Sequence, residues 1–343
     1  MPKGVMTVLG EISADELGLV LPHEHLLWEM FCFLNEEPRE IQEKEKLRQP
    51  VKLENRGHVV YHAEEYADNL CLTDINVAIE EALNFKFAGG KTICDLTNKN
   101  WGRDPRALFQ IAISTGLNVI MGSSNYVSVS CSNEDKKMSI DQIKNEIINE
   151  FKNGVGSTGI KPGIIGEVGA ADINDDFEMR NLRASGMAQC ELDCPMNIHP
   201  AVWTKDGHKI LDILEEVGVD LNKVVLSHFD GKIDDYDYAD SIAKRGVYVE
   251  YDSFGASMML SNKKFLPCDT ERIRAVMEMV KRGNINRILI SHDICFKIEM
   301  TKWGGHGYSH ILENIVPRLR QEGLKDDKIK RILLENPKRW LTS

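Results

Sequence analysis

From about residue 88 onward, short apolar runs of strand length alternate with longer stretches in which apolar residues recur at helical spacing. Residues 91–96, 117–122, 163–167, 195–199, 224–228, 246–251 and 287–293 read as seven strands, and the run over 17–26 adds an eighth. Between them, Ser139-Ile-Asp-Gln142 reads as a capping box, followed by Ile143, Ile147, Ile148 and Phe151 on one helical face. Asp269 precedes a second such helix, with Ile273, Val276, Met277 and Val280 inward and Gly283 just past its end. Continuously apolar strands separated by helices predict a parallel sheet covered on both faces. Eight such units close as a (β/α)8 TIM barrel, whose chemistry sits at the C-terminal ends of the strands. An open doubly wound sheet would place a Gly-rich phosphate loop after an early strand, and the sequence offers none.

Two stretches depart from this regularity. Residues 1–16 read as a hairpin ahead of the first barrel strand, and residues 28–70 as a long insertion at the barrel mouth. The insertion carries the charged string Glu36-Glu-Pro-Arg-Glu-Ile-Gln-Glu-Lys-Glu-Lys46, a solvated face by composition and a lid or pocket wall by position. The whole of residues 1–343 is read as one domain of α/β-barrel size, and 42 % apolar residues suffice for a large core. A net charge of -11 argues against nucleic acid and anionic membrane as partners. The start Met1-Pro-Lys-Gly-Val-Met6 lacks the pattern of a signal peptide, and no apolar run approaches the roughly 20 residues of a membrane span, so a cytoplasmic location is expected. The eight cysteines are read as reduced thiols, and Cys190 and Cys194 lack the partners for a structural zinc.

Several strands end in residues that bind metals. His23 and His25 flank Glu24 and share one face of the first strand, while Glu24 points away. Glu167 ends the fourth strand, His199 the fifth, His228 the sixth and Asp293 the eighth. Four imidazoles and two carboxylates are too many for one tetrahedral ion but suit two divalent ions. His23, His25 and Asp293 are assigned to a deeper ion, His199 and His228 to an outer one, and Glu167 to the bridge. Two divalent ions outweigh two carboxylates and a hydroxide, so the centre stays positive and stabilises a developing oxyanion. His292, one residue before Asp293, faces the other way and is read as packing behind the site.

In this order the residues resemble the amidohydrolase superfamily, specifically its phosphotriesterase family, and within it the phosphotriesterase-related proteins. The resemblance runs through nearly the whole chain, on Leu21-Pro-His-Glu-His-Leu26, Gly163-Ile-Ile-Gly-Glu-Val-Gly169, Tyr248-Val-Glu-Tyr-Asp-Ser-Phe-Gly255, Gly304-Gly-His-Gly-Tyr-Ser-His-Ile311 and Glu335-Asn-Pro-Lys-Arg-Trp-Leu341. It implies the same six metal ligands. Phosphotriesterase itself bridges its metals with a carboxylated lysine; here Lys161 lies at the wrong end of the strand and Glu167 takes that place.

The implied reaction is hydrolysis by a bridging hydroxide, with Asp293 as the catalytic proton acceptor. The expected substrate is a small carbonyl compound: a lactone, including a phosphorylated sugar lactone, or an N-acyl amide such as N-acetyltaurine. The alternatives are a phosphoester or phosphotriester hydrolase and, in another class, a non-catalytic barrel that binds small molecules. Zinc is the first expectation for the metal, with manganese, cobalt or iron also suited to mixed nitrogen and oxygen ligands. Tyr126, Arg272, His306 and Tyr308 are candidate substrate contacts. A homodimer is expected from the family alone.

Overall fold

The computed structural model describes residues 4–35, 40–260 and 263–342. Residues 36–39 of the charged string therefore lie outside the described residues.

The eight barrel strands are β1 (Val20–Glu24), β2 (Thr92–Asp95), β3 (Asn118–Ser123), β4 (Ile164–Ala170), β5 (Met196–Pro200), β6 (Val224–Leu226), β7 (Tyr248–Tyr251) and β8 (Ile288–Ile290). Each pairs in parallel with its sequence neighbour. Between β8 and β1 the ring is drawn together by the Asp293 N–H donating to the His23 carbonyl at 3.2 Å and the His23 N–H to the Ser291 hydroxyl at 3.1 Å. The predicted TIM barrel is the observed fold. Ahead of it, Val5–Thr7 and Gly10–Ile12 form the expected antiparallel hairpin.

The lower half of the barrel is filled by Val20, Ile120, Ile164, Val225, Tyr248 and Leu289, and Val5, Trp340 and Leu341 cluster with them. Hydrophobic burial there fixes which strand positions face inward, and this bears on the site. Val20 faces this plug and Leu21 the outer layer, so strict alternation would send His23 outward. A register irregularity between Leu21 and Glu24 resets the phase and turns His23 and His25 into the barrel. β4 repeats the device: Ile164 faces in, Ile165 out, and the irregularity before Val168 brings Glu167 inward.

The insertion is tied to the barrel mouth. Trp28–Glu29 pairs antiparallel with Cys71–Leu72, and Leu47, Val51, Val59, Tyr66 and Leu70 join the outer core. Lys297 Nζ reaches Asp68 Oδ1 at 2.6 Å, and the Ile298 N–H donates to Asn69 Oδ1 at 3.0 Å, fastening it to the loop after β8. The capping box at Ser139 and Gln142 is present. The helix expected after Asp269 instead starts on it (Asp269–Lys281), with Cys268 and Glu271 forming the cap, because the Asp269 carboxylate is engaged elsewhere. All eight cysteines are free. Among the described residues no helix is long and apolar enough to cross a membrane.

Candidate metal centre

The six sequence-predicted ligands meet at the C-terminal mouth. Glu167 stands between two histidine pairs and gives one oxygen to each. Its Oε2 lies 3.6 Å from His23 Nε2 and 3.9 Å from His25 Nε2. Its Oε1 lies 2.5 Å from His199 Nδ1 and 2.9 Å from His228 Nε2. Asp293 Oδ1 is 3.1 Å from His25 Nε2 and 3.5 Å from His23 Nε2, and Oδ2 is 3.8 Å from His228 Nδ1. His23, His25 and Glu167 could thus hold one ion, and Glu167, His199 and His228 a second. His228 and Asp293 take left-handed backbone angles, φ 58 and φ 52, where the chain leaves β6 and β8. Such angles cost a non-glycine residue on the order of 1 kcal/mol and persist only where the surroundings enforce them.

The imidazoles are oriented from behind. The Thr97 hydroxyl donates to the Leu27 carbonyl at 3.2 Å and so accepts the His25 Nδ1–H at 3.0 Å, leaving Nε2 bare toward the centre. Asp252 does the same for two ligands, with Oδ1 3.0 Å from His228 Nδ1 and Oδ2 3.1 Å from His23 Nδ1. His23 Nε2 is left buried with no hydrogen-bond partner, and His199 Nδ1 sits 2.6 Å from His228 Nε2. An orphaned nitrogen and a cluster of lone pairs around one carboxylate fit divalent cations with nitrogen and oxygen ligands.

Electrostatics without cations point the same way. Burial opposes a charge on His23, yet Glu167 and Asp293 outweigh it and hold its pKa well above the ordinary value. Burial likewise opposes charging His228, but Asp252 and Glu167 push it up to about 10. Burial alone would raise Glu167, but His199 and His23 hold it well below the usual carboxylate range. Burial lowers the pKa of His199. Carboxylates that favour positive charge at His23 and His228 would favour a cation there too.

The proposed substrate contacts divide. Tyr126 is at the site, its hydroxyl 3.0 Å from His199 Nδ1 and 3.1 Å from Nε2. Arg272 is not a free cation: it is fully buried, with Nε 2.6 Å from Asp230 Oδ1 and Nη1 3.0 Å from Asp269 Oδ1. Tyr308 is also fully buried and spends its hydroxyl on the His25 carbonyl at 2.6 Å, so it braces the ligand strand. His306 is exposed and stacks on His310 with centroids 4.1 Å apart. His292 packs behind, as expected, with Nδ1 2.7 Å from Glu24 Oε1.

Sequence reasoning missed Glu250, Asp252 and the role of Glu24. Glu250 on β7 and Asp252 just past its end follow Tyr248 at every second position and face inward with it, a period-2 placement of acids that was open to reading. A cavity of about 470 Å³ opens beside His199, lined by Phe33, Val127, Ser128, Lys136, Ala171 and Glu178 among others. Phe33 from the insertion meets Trp101 and Tyr126 edge-on at 6.0 and 6.2 Å, so the insertion supplies a pocket wall.

Compared with known proteins, residues 3–341 match the profile of the Phosphotriesterase family. The chain belongs to the phosphotriesterase family. This places it among metal-dependent hydrolases built on the TIM barrel. Among curated relatives of this family member, the N-acetyltaurine hydrolase of Homo sapiens is 38% identical over 344 residues, covering 98% of this chain and 97% of that one. The N-acetyltaurine hydrolase of Danio rerio is 36% identical over the same shares. A resiniferatoxin-binding protein from Rhodobacter sphaeroides superposes with a TM-score of 0.95 at 33% identity, over 98% of this chain and 94% of that one. A lactonase from Listeria monocytogenes, at 23% identity, TM-score 0.80 and 99% coverage of each chain, shares the fold.

Proposed function

We propose that this phosphotriesterase-family chain hydrolyses a small N-acyl amide with an anionic tail, at a centre of two divalent cations, zinc first among them, held by His23, His25, Glu167, His199, His228 and Asp293. The observation that carries this reading is the division of Glu167, one oxygen to each histidine pair. The chemistry such cations supply when bound is Lewis acidity toward a carbonyl and a lowered pKa for water. Asp293 accepts the proton released from the attacking water and delivers it to the leaving nitrogen; of the six side chains its own is the most exposed, at 19%. Tyr126 fixes His199 through its hydroxyl, and the aromatic wall of Phe33, Trp101 and Tyr126 keeps bulk water from the reacting carbonyl.

Lys136 supports the anionic tail. Lys136 lines the cavity beside His199 and forms no ion pair among the described residues. Three acids line the same cavity and each accepts from backbone donors: Glu178 from Ser128 N at 2.9 Å and Asp172 N at 2.8 Å, Asp175 from Phe177 N and Glu178 N at 2.9 Å, and Asp172 from Asn174 N at 2.9 Å. The choice of an amide over a lactone rests on the relatives named for N-acetyltaurine hydrolysis. The likeness to a resiniferatoxin-binding protein favours a second reading, a barrel that binds a small molecule without turning it over. Both are tested by turnover of N-acetyltaurine, N-acyl amino acids, lactones and phosphoesters with zinc- or manganese-loaded protein. Turnover of anionic amides that falls about 100-fold or more per metal-loaded chain in Asp293→Asn is expected. Absence of turnover across the panel contradicts the enzymatic reading.

A further inference from the structure

His228 of the outer histidine pair is backed by a continuous line of buried charge that ends on Arg272. Asp252 grips His228 twice, accepting its backbone N–H at 3.0 Å and its ring Nδ1–H at 3.0 Å. The Asp252 N–H in turn donates to Asp230 Oδ2 at 3.0 Å, and Asp230 Oδ1 accepts Arg272 Nε at 2.6 Å. Arg272 Nη1 then donates to the Ala256 carbonyl at 3.1 Å and to Asp269 Oδ1 at 3.0 Å. Asp269 Oδ1 also accepts the Gly255 N–H at 2.9 Å, and its Oδ2 faces His310 Nε2 at 2.7 Å. Asp230, Asp252 and Arg272 are each 0% exposed.

We infer that Arg272 is a positioning residue for His228, acting through Asp230 and Asp252, and so sets the affinity for the outer of two ions. The left-handed angle of His228 needs enforcement by its surroundings, and Asp252 accepts from both its backbone N–H and its ring, while Lys232 Nζ holds its carbonyl at 3.2 Å. Asp252 can serve both only while its own backbone is fixed, and that fixing runs through Asp230 to the guanidinium. A guanidinium is the group for this task, because its rigid fork meets Asp230, Asp269 and a carbonyl together, which a single ammonium cannot reproduce. The line touches His228 and, through Asp252 Oδ2 at 3.1 Å, the Nδ1 of His23, but that nitrogen also has Ser227 Oγ at 3.3 Å and Glu250 Oε2 at 3.4 Å, so His23 keeps backing that His228 Nδ1 lacks; the line does not reach His25 or His199. The inference rests on the two-ion reading above, with His228 as a ligand.

The test is Co2+ binding to full-length, chelator-stripped protein, followed by visible absorption and by equilibrium dialysis, for wild type, Arg272→Met, Arg272→Lys, Asp230→Asn and His228→Asn. In Arg272→Met the second ion is expected to bind about 10- to 100-fold more weakly, the range seen when support of a ligand is lost, while the first stays within about 2-fold. Arg272→Lys is expected to recover part of that loss. Asp230→Asn keeps an acceptor for the Asp252 N–H but lacks the charge that orients Arg272, and should show the same selective weakening; it decides the matter if Arg272→Met does not fold. Equal weakening of both ions, or unchanged binding, marks a purely structural ion pair and overturns the inference. If His228→Asn still binds two ions, the ligand assignment itself falls; if it loses one while Arg272→Met and Asp230→Asn lose none, only the positioning role falls.

Discussion

Glu24→Gln should slow turnover while the ions stay bound. Glu24 is fully buried on the outer side of β1, and its Oε1 accepts the Ser291 hydroxyl at 2.7 Å, the His292 N–H at 2.9 Å and His292 Nδ1 at 2.7 Å. Its Oε2 accepts the Ile294 N–H at 3.2 Å, so one carboxylate holds both flanks of Asp293. Glutamine has the same shape and keeps one oxygen, but its amide would face the Ile294 N–H donor to donor. Three bonds to a charged acceptor become neutral, a loss of roughly 1 kcal/mol each, and the fourth is replaced by an unpaired donor costing about 1–3 kcal/mol. Partial relaxation brings the sum to about 4 kcal/mol, within the 5–15 kcal/mol of folding stability typical of a domain, so the loop shifts and the barrel persists. If about 2 kcal/mol of this is felt in the placement of Asp293 during reaction, kcat falls about 30-fold. The assay combines steady-state kinetics, thermal melting and metal analysis. Wild-type kcat together with an unchanged melting temperature would refute the argument.

Two further outcomes follow from the site. Lys136→Met should raise KM for an anionic amide about 10-fold or more, the scale of one charge-assisted hydrogen bond, and leave a neutral lactone or amide unaffected; equal effects on both would remove Lys136 from substrate recognition. In metal-free protein, burial works against charging His23 and His228, but the carboxylates around them prevail, with Glu167 and Asp293 acting on His23 and Asp252 and Glu167 on His228 at about 10. Zinc uptake should therefore release protons and weaken as pH falls, measured by titration calorimetry in buffers of differing ionisation enthalpy. Uptake without proton release would contradict this electrostatic description.

The barrel was legible because a doubly covered parallel strand must be apolar throughout, and its C-terminal end is where that apolar run stops. His23, His25, His199, His228 and Asp293 each lie within three residues of such an end, whereas Glu167, expected to close the fourth strand, sits mid-way along β4, whose buried run continues to Ala170. What hid the rest is long-range pairing. Glu24 meets residues 291–294, and Arg272 meets Asp230, partners that no local pattern joins. An arginine near a helix start looks the same in sequence whether it faces solvent or a buried carboxylate, which is why Arg272 read as a substrate contact. Tyr308 misled likewise, since its glycine-flanked loop folds inward and delivers the hydroxyl to the His25 carbonyl. The register shifts in β1 and β4 were also invisible, because alternation alone sets a strand's phase only while its pairing stays regular.

The central claim is that Glu167 joins two cations. Metal analysis of wild-type protein and Glu167→Ala, each dialysed against the same zinc concentration, tests it most directly. Two ions per wild-type chain and at most one in the variant are expected. A wild-type chain that holds fewer than two, or a variant that retains both, would contradict it.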